Sequence, residues 1–174
     1  EKENLFEKNF FFLSSEENSR NAITIMHDNG THTEITEEGP LILPNQESLI
    51  YKHILNTINI NPSIDIVGIS GSIHTQNPLF YAELVKVIQE QFPWKKIILD
   101  VSGEQLENVL KQTEIHPFMI KPNIHEFNDL TGSDSKTKQD IIKVLKDSDL
   151  FKQVSLTLIS CGSEGGVVKY NDEL

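Results

Sequence analysis

The sequence predicts an α/β fold, a largely parallel sheet covered by helices, preceded by a short all-β segment. Three observations carry this. Beyond residue 45, short apolar runs alternate with helix-like stretches, and such alternation gives right-handed crossovers and a mainly parallel sheet. Ile64–Ile69, Lys96–Asp100 and Val154–Ile159 are short, rich in β-branched residues and bounded by turn residues, as buried strands are. Before residue 45, two β-prone runs, Ala22–His27 and Thr31–Ile35, flank Asp28-Asn29-Gly30. Asn-Gly is a hairpin signal because both residues tolerate positive φ. The chain therefore divides into strands and turns over 1–45 and an α/β core over 46–174.

Taken in order, Asn9–Leu13 is an aromatic, strand-like run that precedes the hairpin. Gly39-Pro40 and Pro44 break the chain before a helix over Glu47–Ile58. After the Ile64–Ile69 strand, a helix covers about Leu79–Gln91, with Asn77 as N-cap and Pro78 as first helical residue. Leu84, Val85, Ile88 and Phe92 form its apolar stripe, and Phe80 and Trp94 read as core. Following Lys96–Asp100, Ser102-Gly103-Glu104-Gln105 reads as a capping box opening a helix with Leu106, Val109 and Leu110 inside. Phe118–Ile120 is a short strand, and a helix starts near Ile124. Another helix spans about Lys136–Lys146 with Ile141, Ile142 and Leu145 on one face. Val154–Ile159, a turn over Gly162–Gly166 and a strand over Gly166–Tyr170 close the pattern.

A chain of 174 residues matches one domain at roughly 100–200 residues each. Its net charge of -11 argues against nucleic acid or an anionic membrane as partner, since both select Lys/Arg-rich surface. No apolar run approaches the ~20 residues of a membrane span, and Glu1-Lys2-Glu3-Asn4 lacks the features of a signal peptide. Cys161 is the only cysteine. No internal disulfide can form, so a cytoplasmic setting is expected. The histidines show no metal-ligand spacing, which argues against a structural zinc site. No Gly-x-Gly-x-x-Gly joins a strand to a helix, which argues against a dinucleotide-binding oxidoreductase. Cys161 has no His or basic neighbour close in sequence to activate it as a nucleophile.

In open parallel sheets, ligands bind outside the carboxyl ends of the strands. Those ends carry Ser70-Gly71-Ser72, then Asp100 with Ser102-Gly103, then Lys121-Pro122-Asn123, then Ser160-Cys161-Gly162. Helix N-termini and glycine turns present backbone N–H groups to anions, so the pattern points to a phosphorylated ligand.

Together, Ser19-Arg20-Asn21, Thr33-Glu34-Ile35 with Glu38-Gly39-Pro40, Ile69-Ser70-Gly71-Ser72, Leu99-Asp100-Val101-Ser102-Gly103-Glu104, Ile120-Lys121-Pro122-Asn123 with Glu126, and Ile159-Ser160-Cys161-Gly162 with Gly165 resemble the PfkB carbohydrate kinase family in order and spacing. The likeness covers about residues 10–170 and lies nearest the phosphosugar branch, tagatose-6-phosphate kinase and 1-phosphofructokinase. It implies a ribokinase-like fold in which residues 1–45 form part of a small β lid. It also implies ATP-dependent phosphoryl transfer to a hydroxyl of a sugar phosphate, with Mg²⁺. Tagatose 6-phosphate is the expected substrate, fructose 1-phosphate and fructose 6-phosphate the alternatives. A non-catalytic relative that binds sugar phosphate or nucleotide is the other class. A homodimer through the lid is a further expectation.

The departures are specific. The family's N-terminal Gly-Gly-Lys-Gly-like sugar motif and its C-terminal Gly-Ala-Gly-Asp-like motif, which holds the catalytic base, are absent. The expectation is that this chain is the central part of a longer kinase. After Ser72 the family often continues Leu-Pro and a glycine, whereas here the run is Ile73-His74-Thr75-Gln76-Asn77. The usual Leu-Gly after Ser160 is Cys161-Gly162.

The resemblance implies that Arg20 and Ser72 bind the phosphate already on the sugar, with Ser70 a weaker candidate. A guanidinium can grip phosphate bidentately. Read without it, Arg20 is a solvated arginine at a strand start and Ser72 part of a turn. By the same resemblance Lys121 neutralises the transferring phosphoryl group, and Asn123 and Glu126 position Mg²⁺ through water. Asn followed three residues later by Glu is equally a helix capping box, and both roles can coexist. Asp100 is either a group near the transfer site or an acceptor for nearby N–H groups. Ser160, Gly162 and Gly165 resemble the ATP-binding turn, or form a plain turn between strands. His125 lies inside the Lys-Pro-Asn element but carries no assigned role.

Overall fold

The computed structural model describes residues 18–171 and 173. The Asn9–Leu13 run lies outside the described residues. Strands β1 (Ala22–Met26) and β2 (His32–Thr36) form an antiparallel hairpin, with Ile23 opposite Ile35 and Met26 opposite His32. Gly30 takes φ of 81° in the turn, as the Asn-Gly pair predicts. Both strands are exposed along their whole length.

Helix α1 (Pro44–Ile60) leads into the main sheet. Pro44 does not end a preceding segment, as the sequence suggests, but occupies the first helical turn, where its missing N–H costs nothing. Gln46 Oε1 accepts from the Leu43 N–H at 2.9 Å and closes the helix start.

The main sheet runs β3 (Ile66–Ser70), β4 (Lys96–Asp100), β5 (Met119–Ile120), β6 (Leu156–Ser160) and β7 (Gly166–Tyr170), in that spatial order. The first four are parallel, and β7 turns back antiparallel to β6. Helices α2 (Phe80–Gln91), α3 (Gly103–Lys111), α4 (Ile124–Thr131) and α5 (Lys138–Asp147) make the crossovers. Strands added in chain order with right-handed connections place every crossover helix on the same face. Burial follows: Ile97, Leu99, Ile120, Thr157, Ile159 and Val167 are buried against helical Leu84, Ile88, Leu106, Val109, Phe127 and Ile141. The opposite face is only partly covered among the described residues, with Ile66, Val168 and Tyr170 exposed. Thr157 Oγ1 is buried on the helix side without a hydrogen-bond partner. No helix among the described residues is long and apolar enough to cross a membrane.

Several local expectations change. The helix after β3 begins at Phe80, not Pro78, because Asn77 closes a turn first: its Oδ1 accepts from the Leu79 N–H at 2.9 Å and its carbonyl from the Phe80 N–H at 3.2 Å. The Ser102 capping box does not form. Gln105 is recruited by tertiary contacts instead, donating Nε2–H to the Asn77 carbonyl at 3.0 Å. Trp94 is 69% exposed rather than core, resting edge-on against Phe92. Phe80 is buried as expected. The 136–146 helix starts at Lys138, one residue after its Thr137 cap. A 3₁₀ turn over Asp149–Phe151, without a signal in the sequence pattern, follows it. It seats Phe151 against Phe127, with ring centroids 5.6 Å apart.

Two outcomes follow for stability. Phe127→Ala should cost about 3–5 kcal/mol, as large-to-small changes at fully buried aromatic sites do, read as a lower urea midpoint. The Asp140 carboxyl is held below its usual range by the Thr137 hydroxyl first, then by the Thr137 and Lys136 N–H groups. Its folded value lies below the unfolded one, so its stabilisation is complete above about pH 4 and is lost as pH falls through the folded value. Asp140→Ala should lower the urea midpoint at pH 7, with the gap to the parent narrowing below about pH 4. A pH-independent gap would contradict this.

Candidate functional site

The carboxyl ends of β3 to β6 lie along one edge of the sheet, and the predicted residues gather there in two groups. The first lies between the hairpin and the loop after β3. Gly71 has φ of 100°, a conformation that other residues rarely adopt, and it turns the chain sharply out of β3. Its N–H donates to the Asp100 carbonyl at 3.2 Å, and its own carbonyl accepts from the Tyr81 hydroxyl at 3.0 Å. Burial raises the Tyr81 hydroxyl above its ordinary range and keeps it a donor. Ser72, held by this turn, accepts a hydrogen bond from Arg20 Nη1 at 3.0 Å. Sequence places these residues 52 positions apart. They line a cleft of about 770 Å³ with Glu37, Glu38, Gly39, His74, Phe80 and Tyr81. A guanidinium beside a hydroxyl is a cationic, donor-rich pair suited to an anionic oxygen cluster. Ser70 sits on β3 opposite Asp100 and is exposed.

The second group spans β4, β5 and β6. Lys121 Nζ lies 3.2 Å from Asp100 Oδ1, joining neighbouring strand ends. Asn123 caps α4: its Oδ1 accepts from the His125 and Glu126 N–H groups at 2.9 and 3.0 Å, and Glu126 Oε2 accepts from the Asn123 N–H at 2.8 Å. The capping box therefore forms, and it uses one of the two Glu126 carboxylate oxygens. Asn123 also bridges Ser160 in a parallel pair, and the Ser160 N–H donates to the Pro122 carbonyl at 3.1 Å. Lys121, Asn123, Glu126 and Ser160 are thus brought to one place. Gly162 and Gly165 shape the turn that follows, where the Cys161 N–H donates to the Gly165 carbonyl at 2.7 Å. Gly165 has φ of 87°.

Two features had no local signal in the sequence. Lys138 Nζ lies 3.8 Å from where a side chain on Gly165 would begin, which sets a cation beside that turn. His74 donates Nδ1–H to the Gly39 carbonyl at 2.6 Å. Each pairs residues that lie far apart in the chain, so no spacing rule finds them. Among the described residues no cluster of three or more His, Cys, Asp or Glu could hold a metal ion by itself.

The family described as pfkB family carbohydrate kinase matches residues 12–174. The structure resembles phosphofructokinase-2 from Escherichia coli, solved in complex with potassium, with a TM-score of 0.71 and 19% identity over 87% of this chain and 47% of that one. It resembles ribokinase from Giardia lamblia with a TM-score of 0.62 and 16% identity, over 87% of this chain and 45% of that one. A Staphylococcus aureus protein provisionally described as a phosphofructokinase is 28% identical, with a TM-score of 0.58, over 80% of this chain and 42% of that one. The chain spans about half the length of these relatives. The fold is ribokinase-like, and the chain belongs to the pfkB family of carbohydrate kinases.

Proposed function

We propose that the protein containing this chain transfers the γ-phosphoryl group of ATP to a hydroxyl of a sugar phosphate. The observation that carries the phosphosugar reading is the Arg20–Ser72 pair in the cleft beneath the hairpin. An unphosphorylated sugar gives a guanidinium there no charge to meet, whereas a phosphate accepts from both groups. Tagatose 6-phosphate is the substrate we favour, on the likeness of Ile69–Ser72 and Leu99–Gly103 to tagatose-6-phosphate kinases. Phosphofructokinase-2 from Escherichia coli has been solved in complex with fructose 6-phosphate, which keeps that sugar in the test, with fructose 1-phosphate beside it.

In this reading residues 1–45 supply part of a lid and 46–174 the kinase core. Lys121 meets the transferring phosphoryl group, steadied between reactions by Asp100. The turn at Ser160, Gly162 and Gly165 receives the nucleotide, with Lys138 adding positive charge. The sugar hydroxyl oxygen bonds to the γ-phosphorus while the bond to the β-phosphate oxygen breaks, and the hydroxyl proton passes to an Asp outside this chain. Bound Mg²⁺ supplies charge neutralisation on the phosphates. Asn123 and Glu126 suit a hydrated Mg²⁺, which is held by one or two carboxylates plus phosphates rather than by a protein cage. That fits the free carboxylate oxygen beyond the cap and the lack of a three-residue cluster among the described residues. The exposed Ile23, Ile25 and Ile35 on one hairpin face support a homodimer through the lid. Use of ATP and a single free cysteine support a cytoplasmic setting.

The deciding experiment is an ATP-turnover assay of the full-length enzyme on tagatose 6-phosphate, fructose 6-phosphate and fructose 1-phosphate, with ribose and fructose as controls. Turnover restricted to the unphosphorylated sugars would refute the reading, and binding without turnover would identify a non-catalytic relative. Arg20→Ala should raise the sugar-phosphate KM roughly 10- to 100-fold, from about 1.5–3 kcal/mol for hydrogen bonds to a charged group. Lys121→Ala should lower kcat roughly 100- to 1000-fold, as removal of a transition-state donor does, with the sugar-phosphate KM little changed.

A further inference from the structure

We propose that His74 is a positioning residue for the phosphosugar: it pins the stem of the hairpin to the core and so keeps Arg20 over Ser72. The proposal rests on the phosphosugar reading above. The two strands of the hairpin leave the lid through a joined stem. The Asn21 N–H and Nδ2 each donate to Glu37 Oε2 at 2.8 Å, and the Glu37 N–H donates to the Asn21 carbonyl at 3.0 Å. This stem meets the loop after β3 at two side-chain contacts, two residues apart on that loop. One is Arg20 with Ser72 at 3.0 Å, before β1. The other is His74 with the Gly39 carbonyl at 2.6 Å, after β2.

The chemistry of the second contact is unambiguous. A carbonyl only accepts, so Nδ1 of His74 carries the proton. Its other nitrogen lies 3.8 Å from Glu38 Oε2, and that carboxylate is 88% exposed, so the pair adds little. The backbone reinforces the pin where the Ile42 N–H donates to the His74 carbonyl at 2.8 Å. Gly39 also lies under Arg20: a Cβ placed on it would sit 3.9 Å from Arg20 Cδ. His74 thus holds the residue against which the Arg20 side chain rests.

The two contacts behave differently when a phosphate arrives. A phosphate draws on the donors of Arg20 and Ser72 and competes with the bond between them. The His74–Gly39 bond uses neither donor, so it persists and carries the stem. Its loss should therefore be felt in sugar-phosphate binding and not at the nucleotide turn.

The test is steady-state kinetics of the full-length enzyme with the sugar phosphate selected by the substrate panel, on Arg20→Ala, His74→Ala, His74→Asn and His74→Gln. His74→Ala should raise the sugar-phosphate KM about 3- to 10-fold, the size expected for one net hydrogen bond, with the KM for ATP changed less than about twofold. His74→Asn should recover most of the loss because its amide nitrogen stands where Nδ1 stood. His74→Gln should not, because its amide nitrogen reaches the Nε2 position. An unchanged sugar-phosphate KM in His74→Ala, a parallel rise in the KM for ATP, or an Asn variant no better than Gln overturns the proposal. If Arg20→Ala itself leaves the KM unchanged, the subsite reading fails and takes this proposal with it. If Arg20→Ala raises it and His74→Ala does not, only the role of His74 fails.

Discussion

The strands β3 to β6 enter the sheet in chain order, all pointing the same way. With right-handed crossovers, that single constraint sends α2, α3, α4 and α5 to one face. It also lines up four strand ends on one edge. Each end then leaves the sheet through a polar loop, because backbone groups that have left the ladder need new partners. Gly71 finds one in the Asp100 carbonyl, Lys121 in the Leu99 carbonyl, and Ser160 in the Pro122 carbonyl. The loops are stitched to their neighbours by these bonds, and the side chains they carry are placed with the precision of the sheet.

Charge is distributed along this edge in a way the net value of -11 conceals. Arg20 meets a hydroxyl rather than a carboxylate, so its charge is not cancelled at contact distance. Lys121 is paired with Asp100, but both side chains are more than a third exposed, and an ion pair of that kind contributes little to stability. It fixes where the ammonium sits at small energetic cost. On the Lys121 side, the Asn123–Ser160 bridge brings the start of α4 beside the glycine turn, and a helix N-terminus favours negative charge through its dipole. An acidic protein can therefore hold anions at a few converging positions.

The hairpin depends on the core more than the core depends on it. Both of its strands are exposed, and an isolated two-stranded hairpin is marginal in water. Its orientation comes from the stem, where Asn21 and Glu37 join its ends and Arg20 and His74 meet the loop after β3. The cleft thus exists because a small exposed sheet is tied at one end to a rigid edge. The buried Tyr81 hydroxyl beneath Gly71 stiffens the core side of that joint.

The order of strands and helices, the hairpin turn and the Asn123–Glu126 cap were legible in the sequence, because each rests on periodicity or on contacts within a few residues. Local pattern failed where a distant partner competed. Gln105 was drawn from its own helix start to the Asn77 carbonyl, 28 residues away. At Asn77 the competitor was local: its side chain closes a turn on the Leu79 N–H and delays α2. Trp94 looked apolar enough for the core, yet it lies at the amino end of β4, beyond the layer of helices, and stays exposed. Of the candidate site, the sequence by itself determined which residue types end each strand and which family motifs they resemble. Only the tertiary structure decided that Arg20 reaches Ser72, that Lys121 leans on Asp100, and that His74 and Lys138 belong beside them. The reason is physical: hydrogen bonds and ion pairs act over a few ångströms, and the chain separations they span, 52 residues for Arg20 and Ser72, are closed only by packing the sheet.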